Sequence, residues 1–124
     1  MADISKKILI VEDSKSYLFI LSQTITTAGF TVVTAENGED GVVAAEKENP
    51  DLILLDITLP KMDGIAAAKK IKEAGVKAPI IFLTNMSDIK HISDAAETAS
   101  DYIVKSDISV EDIVVRVKER LNLK

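Results

Sequence analysis

Short apolar runs alternate with longer amphipathic stretches along the whole chain. In the longer stretches, apolar residues recur every three or four positions, whereas the short runs are almost continuously apolar. This alternation predicts parallel strands joined by helices that cross over the sheet. We therefore predict strands over 7–11, 31–35, 51–56, 79–84 and 101–104, and helices over 15–28, 38–48, 64–74, 88–99 and 109–122.

Polar and glycine residues at the predicted helix ends support these limits. Gly29 follows the first helix and is suited to the left-handed conformation that ends many helices. Ser109 precedes the last helix as a predicted N-cap, with the acidic Asp112 three residues later. Asp63 and Gly64 indicate a turn and an N-cap rather than catalysis.

Five strand–helix units define the predicted architecture. Crossovers between parallel strands are almost always right-handed, so the helices must cover both faces of one sheet. We predict an α/β fold with an open, doubly wound, five-stranded parallel sheet in the flavodoxin-like order 2-1-3-4-5. No repeat or Gly/Ser linker divides the 124 residues, so we predict a single domain over 1–124.

Composition narrows the classes of function. With 47% hydrophobic but only 4% aromatic residues, the core must consist of aliphatic side chains. A net charge of −5 argues against direct binding to nucleic acid or to a membrane surface. The chain has no cysteine, which excludes thiolate chemistry, and no apolar run of roughly 20 residues that could span a bilayer. We expect a cytoplasmic location.

Four predicted strands end at polar side chains. Glu12 and Asp13 follow the first strand, Asp56 ends the third, Thr84 ends the fourth and Lys105 follows the fifth. These ends meet at one edge of a parallel sheet, where ligands bind. Three adjacent carboxylates favour a cation, and Mg²⁺ prefers oxygen ligands. An aspartate there can attack phosphorus to form an acyl phosphate, which a lysine and a hydroxyl can stabilise.

The same residues carry a family resemblance. The acidic pair is followed by D-x-x-L-P-x-M-D-G over 56–64, then by Thr84 and by an aromatic-x-x-Lys over 102–105. In this order and spacing, over nearly the whole chain, the sequence resembles the receiver domain of two-component response regulators, of the chemotaxis-type single-domain kind.

That resemblance implies a metal-dependent phosphoacceptor site. Asp56 would be the phosphoacceptor and a ligand of Mg²⁺. Asp13 would bind the metal directly, Glu12 through a bound water, and Thr58 through its backbone carbonyl.

The resemblance also implies a switch. Lys105, Thr84 and the backbone N–H of Asn85 would hold the phosphoryl group. Movement of Thr84 and Tyr102 would then alter the face formed by the predicted fourth helix, fifth strand and fifth helix.

The implied partners are a sensor histidine kinase or phosphotransfer protein and an unknown downstream protein. The protein would be a monomer or a phosphorylation-dependent dimer, and a signalling phosphoacceptor rather than a turnover enzyme. The alternative is a pseudo-receiver, a protein-interaction module that is not phosphorylated. The presence of all the site side chains disfavours this alternative.

Two positions depart from the family pattern. Receiver domains usually place a proline in a cis peptide after the lysine, whereas Ser106 stands here, so we expect a trans bond. Asn85 occupies a place where the family prefers a smaller residue. Thr58 and Met86 match positions where the family varies phosphoryl lifetime, and we predict that Thr58→Asn or Met86→Glu changes the dephosphorylation rate more than twofold. We expect His91 to be solvated.

Overall fold

The structure is a computed structural model that describes residues 6–85 and 101–123. Five strands form one sheet in the order β2-β1-β3-β4-β5, and every neighbouring pair is parallel. This confirms the predicted sheet and its strand order. The strands are β1 (Lys7–Val11), β2 (Thr31–Ala35), β3 (Leu52–Asp56), β4 (Ile80–Thr84) and β5 (Asp101–Val104).

Helices connect the strands and cover the sheet. Within the described ranges they are α1 (Lys15–Thr27), α2 (Gly38–Glu48), α3 (Gly64–Glu73) and α4 (Val110–Arg120). The helix α4 corresponds to the predicted helix over 109–122. The predicted helix over 88–99 lies outside the described residues, as do Met86 and His91. None of these four helices has the length and apolar character needed to cross a membrane.

The hydrophobic core has two halves, one on each face of the sheet. Alternate residues of β1 point to opposite faces, so Ile8 and Ile10 pack with α1 and α4, whereas Leu9 and Val11 pack with α2 and α3. Strands β1, β3 and β4 are buried almost completely on both faces. This burial explains why they read as continuous apolar runs.

Capping residues and a glycine stand at the helix ends as the sequence predicts. Ser109 caps α4, because its Oγ accepts a hydrogen bond from the backbone N–H of Asp112 at 3.1 Å. Gly29 follows α1 with φ of 108°, as expected. The strand predicted over 51–56 begins one residue later, at Leu52, and the Asp51 carboxylate accepts a hydrogen bond from the Lys7 N–H at 2.7 Å. Asp51 therefore serves as a side-chain acceptor ahead of β3.

The start of α3 lies directly against the end of β3. The Gly64 N–H donates to the Ile57 carbonyl at 2.7 Å, and Asp63 caps the helix by accepting from the Ala66 N–H at 2.9 Å. A Cβ atom on Gly64 would lie 2.1 Å from the backbone oxygen of Asp56. Only glycine permits this approach, which fixes the main chain of Asp56 against the helix.

Candidate functional site

Backbone hydrogen bonds continue beyond the strands and hold the following residues in register. The Ile57 N–H donates to the Leu83 carbonyl at 3.1 Å, and the Lys105 N–H donates to the Thr84 carbonyl at 2.8 Å. The polar residues at the ends of β1, β3 and β5 therefore meet at one edge of the sheet, as the sequence predicts.

Lys105 bridges two buried carboxylates at this edge. Its Nζ lies 2.6 Å from Oε1 of Glu12 and 3.0 Å from Oδ2 of Asp56. Glu12 is only 1% exposed and Asp56 only 2%. Two carboxylates of like charge are therefore buried side by side, and the lysine ammonium is the cation between them. From the sequence we expected a divalent ion in that place and did not predict the direct bridge.

Asp13 completes a cluster of oxygen donors. One carboxylate oxygen from each of Glu12, Asp13 and Asp56 lies within 4.8 Å of the other two. Asp13 is exposed, and the second oxygen of Asp56 accepts a hydrogen bond from the Thr58 N–H at 3.2 Å. An all-carboxylate donor set of this kind, open to solvent at Asp13, fits a hard cation such as Mg²⁺.

Burial sets the protonation behaviour of the site. Burial raises the pKa of Asp56 to about 7; the negative charge of Glu12 adds to the rise, and Lys105 opposes it. Burial by itself would lower the pKa of Lys105, but its hydrogen bond to Glu12 and the charge of Asp56 raise it instead. Lys105 is therefore charged near neutral pH, whereas Asp56 can exchange a proton there.

Thr84 stands apart from the carboxylates. It is fully buried, and its Oγ1 donates to the backbone carbonyl of its neighbour Asn85 at 3.0 Å. Its hydroxyl is therefore engaged with the main chain. Tyr102, on β5, is 44% exposed, and its backbone N–H donates to the carboxylate of Asp101 at 2.8 Å. Among the hydrogen bonds of the described residues, neither side chain is bonded to Asp56.

The site opens into a cleft of about 460 Å³. Three of its lining residues, Ser14, Tyr17 and Ser106, were not identified as site residues from the sequence. The Tyr17 ring lies beneath Lys105, with Nζ 4.7 Å from the ring centroid. Tyr17 lies in the first turn of α1, which begins two residues after Asp13, and this nearness in sequence is the signal that could have revealed it. The other lining residues are Glu12, Asp13, Asp56, Thr58, Asn85 and Lys105.

The loop after β5 begins without a cis bond. The Lys105–Ser106 peptide is trans, because the described part of the chain contains no cis peptide. This confirms the expectation drawn from the missing proline.

Comparison with known proteins decides the family. A family model of the response regulator receiver domain matches residues 8–118, which is most of the chain. This chain belongs to the response regulator receiver domain family. Members of this family work in two-component systems, where phosphorylation of a receiver domain and coordination of Mg²⁺ are typical. The fold and the acidic edge described above are those of a receiver domain.

Curated relatives include single-domain and longer proteins. The chain is 36% identical over 118 residues to the chemotaxis protein CheY of Bacillus subtilis, covering 94% of this chain and 98% of CheY. It is also 36% identical over 115 residues to the alkaline phosphatase synthesis transcriptional regulatory protein PhoP of the same species. That match covers 92% of this chain but only 48% of PhoP, so this receiver domain spans about half the length of such relatives.

A solved receiver domain shows the metal that the family uses. The receiver domain of a sensor histidine kinase from Pseudomonas aeruginosa, with a magnesium ion coordinated in its active-site cleft, has a TM-score of 0.84 to this structure. The two sequences are 25% identical, and the match covers 96% of this chain and 99% of that one. The acidic cluster of the present receiver domain is compatible with the same metal.

Proposed function

We propose that this receiver domain is the phosphoacceptor of a two-component phosphorelay and that Asp56 is the residue phosphorylated. One observation carries the proposal: Asp56 is buried at the end of β3, bridged by Lys105 and adjoining two further carboxylates at an open cleft. Burying a carboxylate in this way costs folding free energy, and carboxyl groups perturbed by burial and neighbouring charge cluster at functional sites.

Glu12, Asp13 and Asp56 would hold Mg²⁺, with Thr58 contributing its backbone carbonyl. Asp13 and Asp56 would be direct ligands and Glu12 would act through a bound water. When bound, Mg²⁺ supplies positive charge that offsets the charge of the phosphoryl oxygens.

Asp56 is the nucleophile of the proposed transfer. A carboxylate oxygen of Asp56 forms a bond to phosphorus while the bond from phosphorus to the donor histidine nitrogen breaks, and that nitrogen keeps the electron pair. The product is an acyl phosphate. Lys105 favours the ionised, reactive form of Asp56 before transfer, because its positive charge opposes the rise in the pKa of this carboxyl.

The phosphoryl group would then rearrange the surrounding donors. Lys105 pairs with a phosphoryl oxygen, and the backbone N–H of Asn85 donates to another. Thr84 gives up its bond to the Asn85 carbonyl and turns its hydroxyl to the phosphoryl group. Tyr102 moves inward into the vacated space, and the surface around β5 changes.

That surface would be the output face of the receiver domain. It comprises β5, α4 and the predicted helix over 88–99. Arg116 of α4 forms an ion pair with Asp101 at the start of β5, so the two elements are linked directly. A change at Tyr102 therefore occurs next to a charge pair that a partner protein could also contact.

The partners follow from this role. A sensor histidine kinase or phosphotransfer protein would supply the phosphoryl group, and a downstream protein would bind the output face. The net charge of −5 makes direct contact with nucleic acid or membrane unfavourable. We assign residues 1–124 to one domain that works in the cytoplasm as a monomer or a phosphorylation-dependent dimer. It would be a signalling phosphoacceptor, with autodephosphorylation rather than turnover of substrate.

Mass spectrometry after incubation with Mg²⁺ and acetyl phosphate tests the proposal. We expect one added phosphoryl group on the wild type and none on Asp56→Asn. Asp63→Asn is the matched control, because this exposed aspartate only caps α3 and asparagine caps equally well. A wild type that acquires no phosphoryl group and does not bind beryllofluoride would instead be a pseudo-receiver.

A further inference from the structure

Tyr17 contacts the lysine of the site rather than its carboxylates. It lies in the first turn of α1, packs against the core beneath that helix and lines the cleft. The Lys105 Nζ is 4.7 Å from the centroid of its ring. A cation within about 6 Å of an aromatic face is attracted by the ring quadrupole.

The hydroxyl of Tyr17 has no comparable role. It is buried and has no hydrogen-bond partner among residues 6–85 and 101–123. An unpaired buried hydroxyl lowers the stability of the folded protein, so the hydroxyl of Tyr17 does not stabilise this structure. What the site gains from Tyr17 is therefore the aromatic ring beneath the ammonium.

Lys105 needs a further contact to hold its position, because the charge of Asp56, one of its ion-pair partners, changes. A lysine side chain is flexible and carries three rotatable donors, so it adopts one position only when its surroundings hold it there. Its present partners are the carboxylates of Glu12 and Asp56. The attraction to Asp56 changes when that carboxylate binds a cation or is phosphorylated, whereas the attraction to an uncharged ring does not.

We propose that Tyr17 is a positioning residue whose ring holds the Lys105 ammonium over the phosphoacceptor while the charge of Asp56 changes during phosphoryl transfer. This inference rests on the proposed phosphorylation of Asp56. It identifies the aromatic ring, and not the hydroxyl, as the part of Tyr17 that acts.

Four variants separate the effect of the ring from that of packing and of general stability. Tyr17→Phe keeps the ring and removes only the unpaired hydroxyl. Tyr17→Leu keeps an apolar side chain against the core but removes the ring, and Tyr17→Met is a second such replacement if leucine folds poorly. Ile25→Val is the stability control, because Ile25 is a fully buried residue of α1 that does not line the cleft.

The readouts are the initial rate of Asp56 phosphorylation by acetyl phosphate and the NMR shifts of the Lys105 side chain. We expect Tyr17→Leu to slow phosphorylation by about three- to tenfold, the range that a cation–π contact of this kind implies. Tyr17→Phe and Ile25→Val should stay within about twofold of the wild type. The upfield ring shift of the Lys105 side-chain protons should persist in Tyr17→Phe and disappear in Tyr17→Leu.

Several results would overturn the inference. They are equal rates for Tyr17→Leu and Tyr17→Phe, an equal loss in Ile25→Val, or a slow Tyr17→Leu in which the Lys105 shifts are those of the wild type. A wild type that accepts no phosphoryl group would instead refute the proposed function, and the positioning role with it. The two failures are distinguishable, since only the second abolishes phosphorylation before any substitution is made.

Discussion

Replacing Lys105 with methionine should destabilise the metal-free protein in a pH-dependent way. The substitution keeps an unbranched apolar stem but removes the ammonium that lies 2.6 Å from Glu12 and 3.0 Å from Asp56. Removing one partner of a buried ion pair typically costs about 3–5 kcal/mol. The Lys105 side chain keeps 14% exposure, so we expect a loss of about 3 kcal/mol at pH 8.5, the lower end of that range.

The direction of the pH effect follows from the pKa of Asp56. That pKa is about 7 in the folded wild type, and Lys105 holds it below the value that burial and Glu12 would otherwise produce. Without Lys105 the folded-state pKa rises further, while the unfolded chain keeps its ordinary value. Stability relative to the wild type is therefore lost as the pH rises above about 7. At pH 5.5 both proteins hold a proton on Asp56, and we expect the loss to be roughly half as large.

Urea unfolding in EDTA at the two pH values measures both effects. Lys7→Met is the matched control, because Lys7 pairs with Glu48 where both side chains are 32% exposed. An exposed pair of this kind contributes at most about 1 kcal/mol, at either pH. A Lys105→Met loss no larger than that of the control, or one that is the same at pH 5.5 and 8.5, would show that Lys105 does not stabilise the two buried carboxylates.

Three further substitutions test other parts of the site. Without metal, the free energy of unfolding of the wild type should fall by up to roughly 4 kcal/mol between pH 4 and 7, because only the folded state keeps the Asp56 proton there. In urea titrations, Asp56→Asn should remove this dependence of stability on pH. Gly64→Ala should lower the free energy of unfolding by more than about 2 kcal/mol, because the added Cβ would clash with the backbone of Asp56. Gly75→Ala is the control: its Cβ meets no atom within 4 Å, so only its positive φ should cost stability, about 1 kcal/mol. Equal losses would contradict the close approach of α3 to β3. Asp13→Asn should weaken Mg²⁺ binding at least tenfold in calorimetric titrations, yet change metal-free stability by less than about 0.5 kcal/mol because Asp13 is exposed; unchanged Mg²⁺ affinity would exclude Asp13 as a ligand.

The sheet could be predicted from the sequence because its signals are local. Strands buried on both faces must be continuously apolar, and right-handed crossovers require helices on both faces of the sheet. Strand β3 illustrates the limit of this reasoning. Its predicted start at Asp51 was one residue early, and the Asp51 carboxylate accepts a hydrogen bond from Lys7, far away in sequence. A contact between residues so distant in sequence is not visible in a local pattern.

The sequence predicted which residues lie together at the sheet edge, but it did not predict which side chains pair there. The residues Glu12, Asp13, Asp56 and Lys105 could be placed at one edge of the sheet from strand ends alone. Which atoms pair there depends on side-chain reach and burial, so the Lys105 bridge did not follow from the sequence. The contact with Tyr17 was missed for the same reason.

Gly64, at the start of α3, influences which neighbouring elements can move when the charge at Asp56 changes. Helix α3 packs so closely on the carbonyl of Asp56 that a single carbon added at Gly64 would clash, so the main chain has little space to move toward α3. On the opposite side, Thr84 and Lys105 meet their neighbours through a hydroxyl and an ammonium that can change partners without moving the backbone. Phosphorylation of Asp56, as proposed, would therefore be transmitted toward β4 and β5 rather than toward α3.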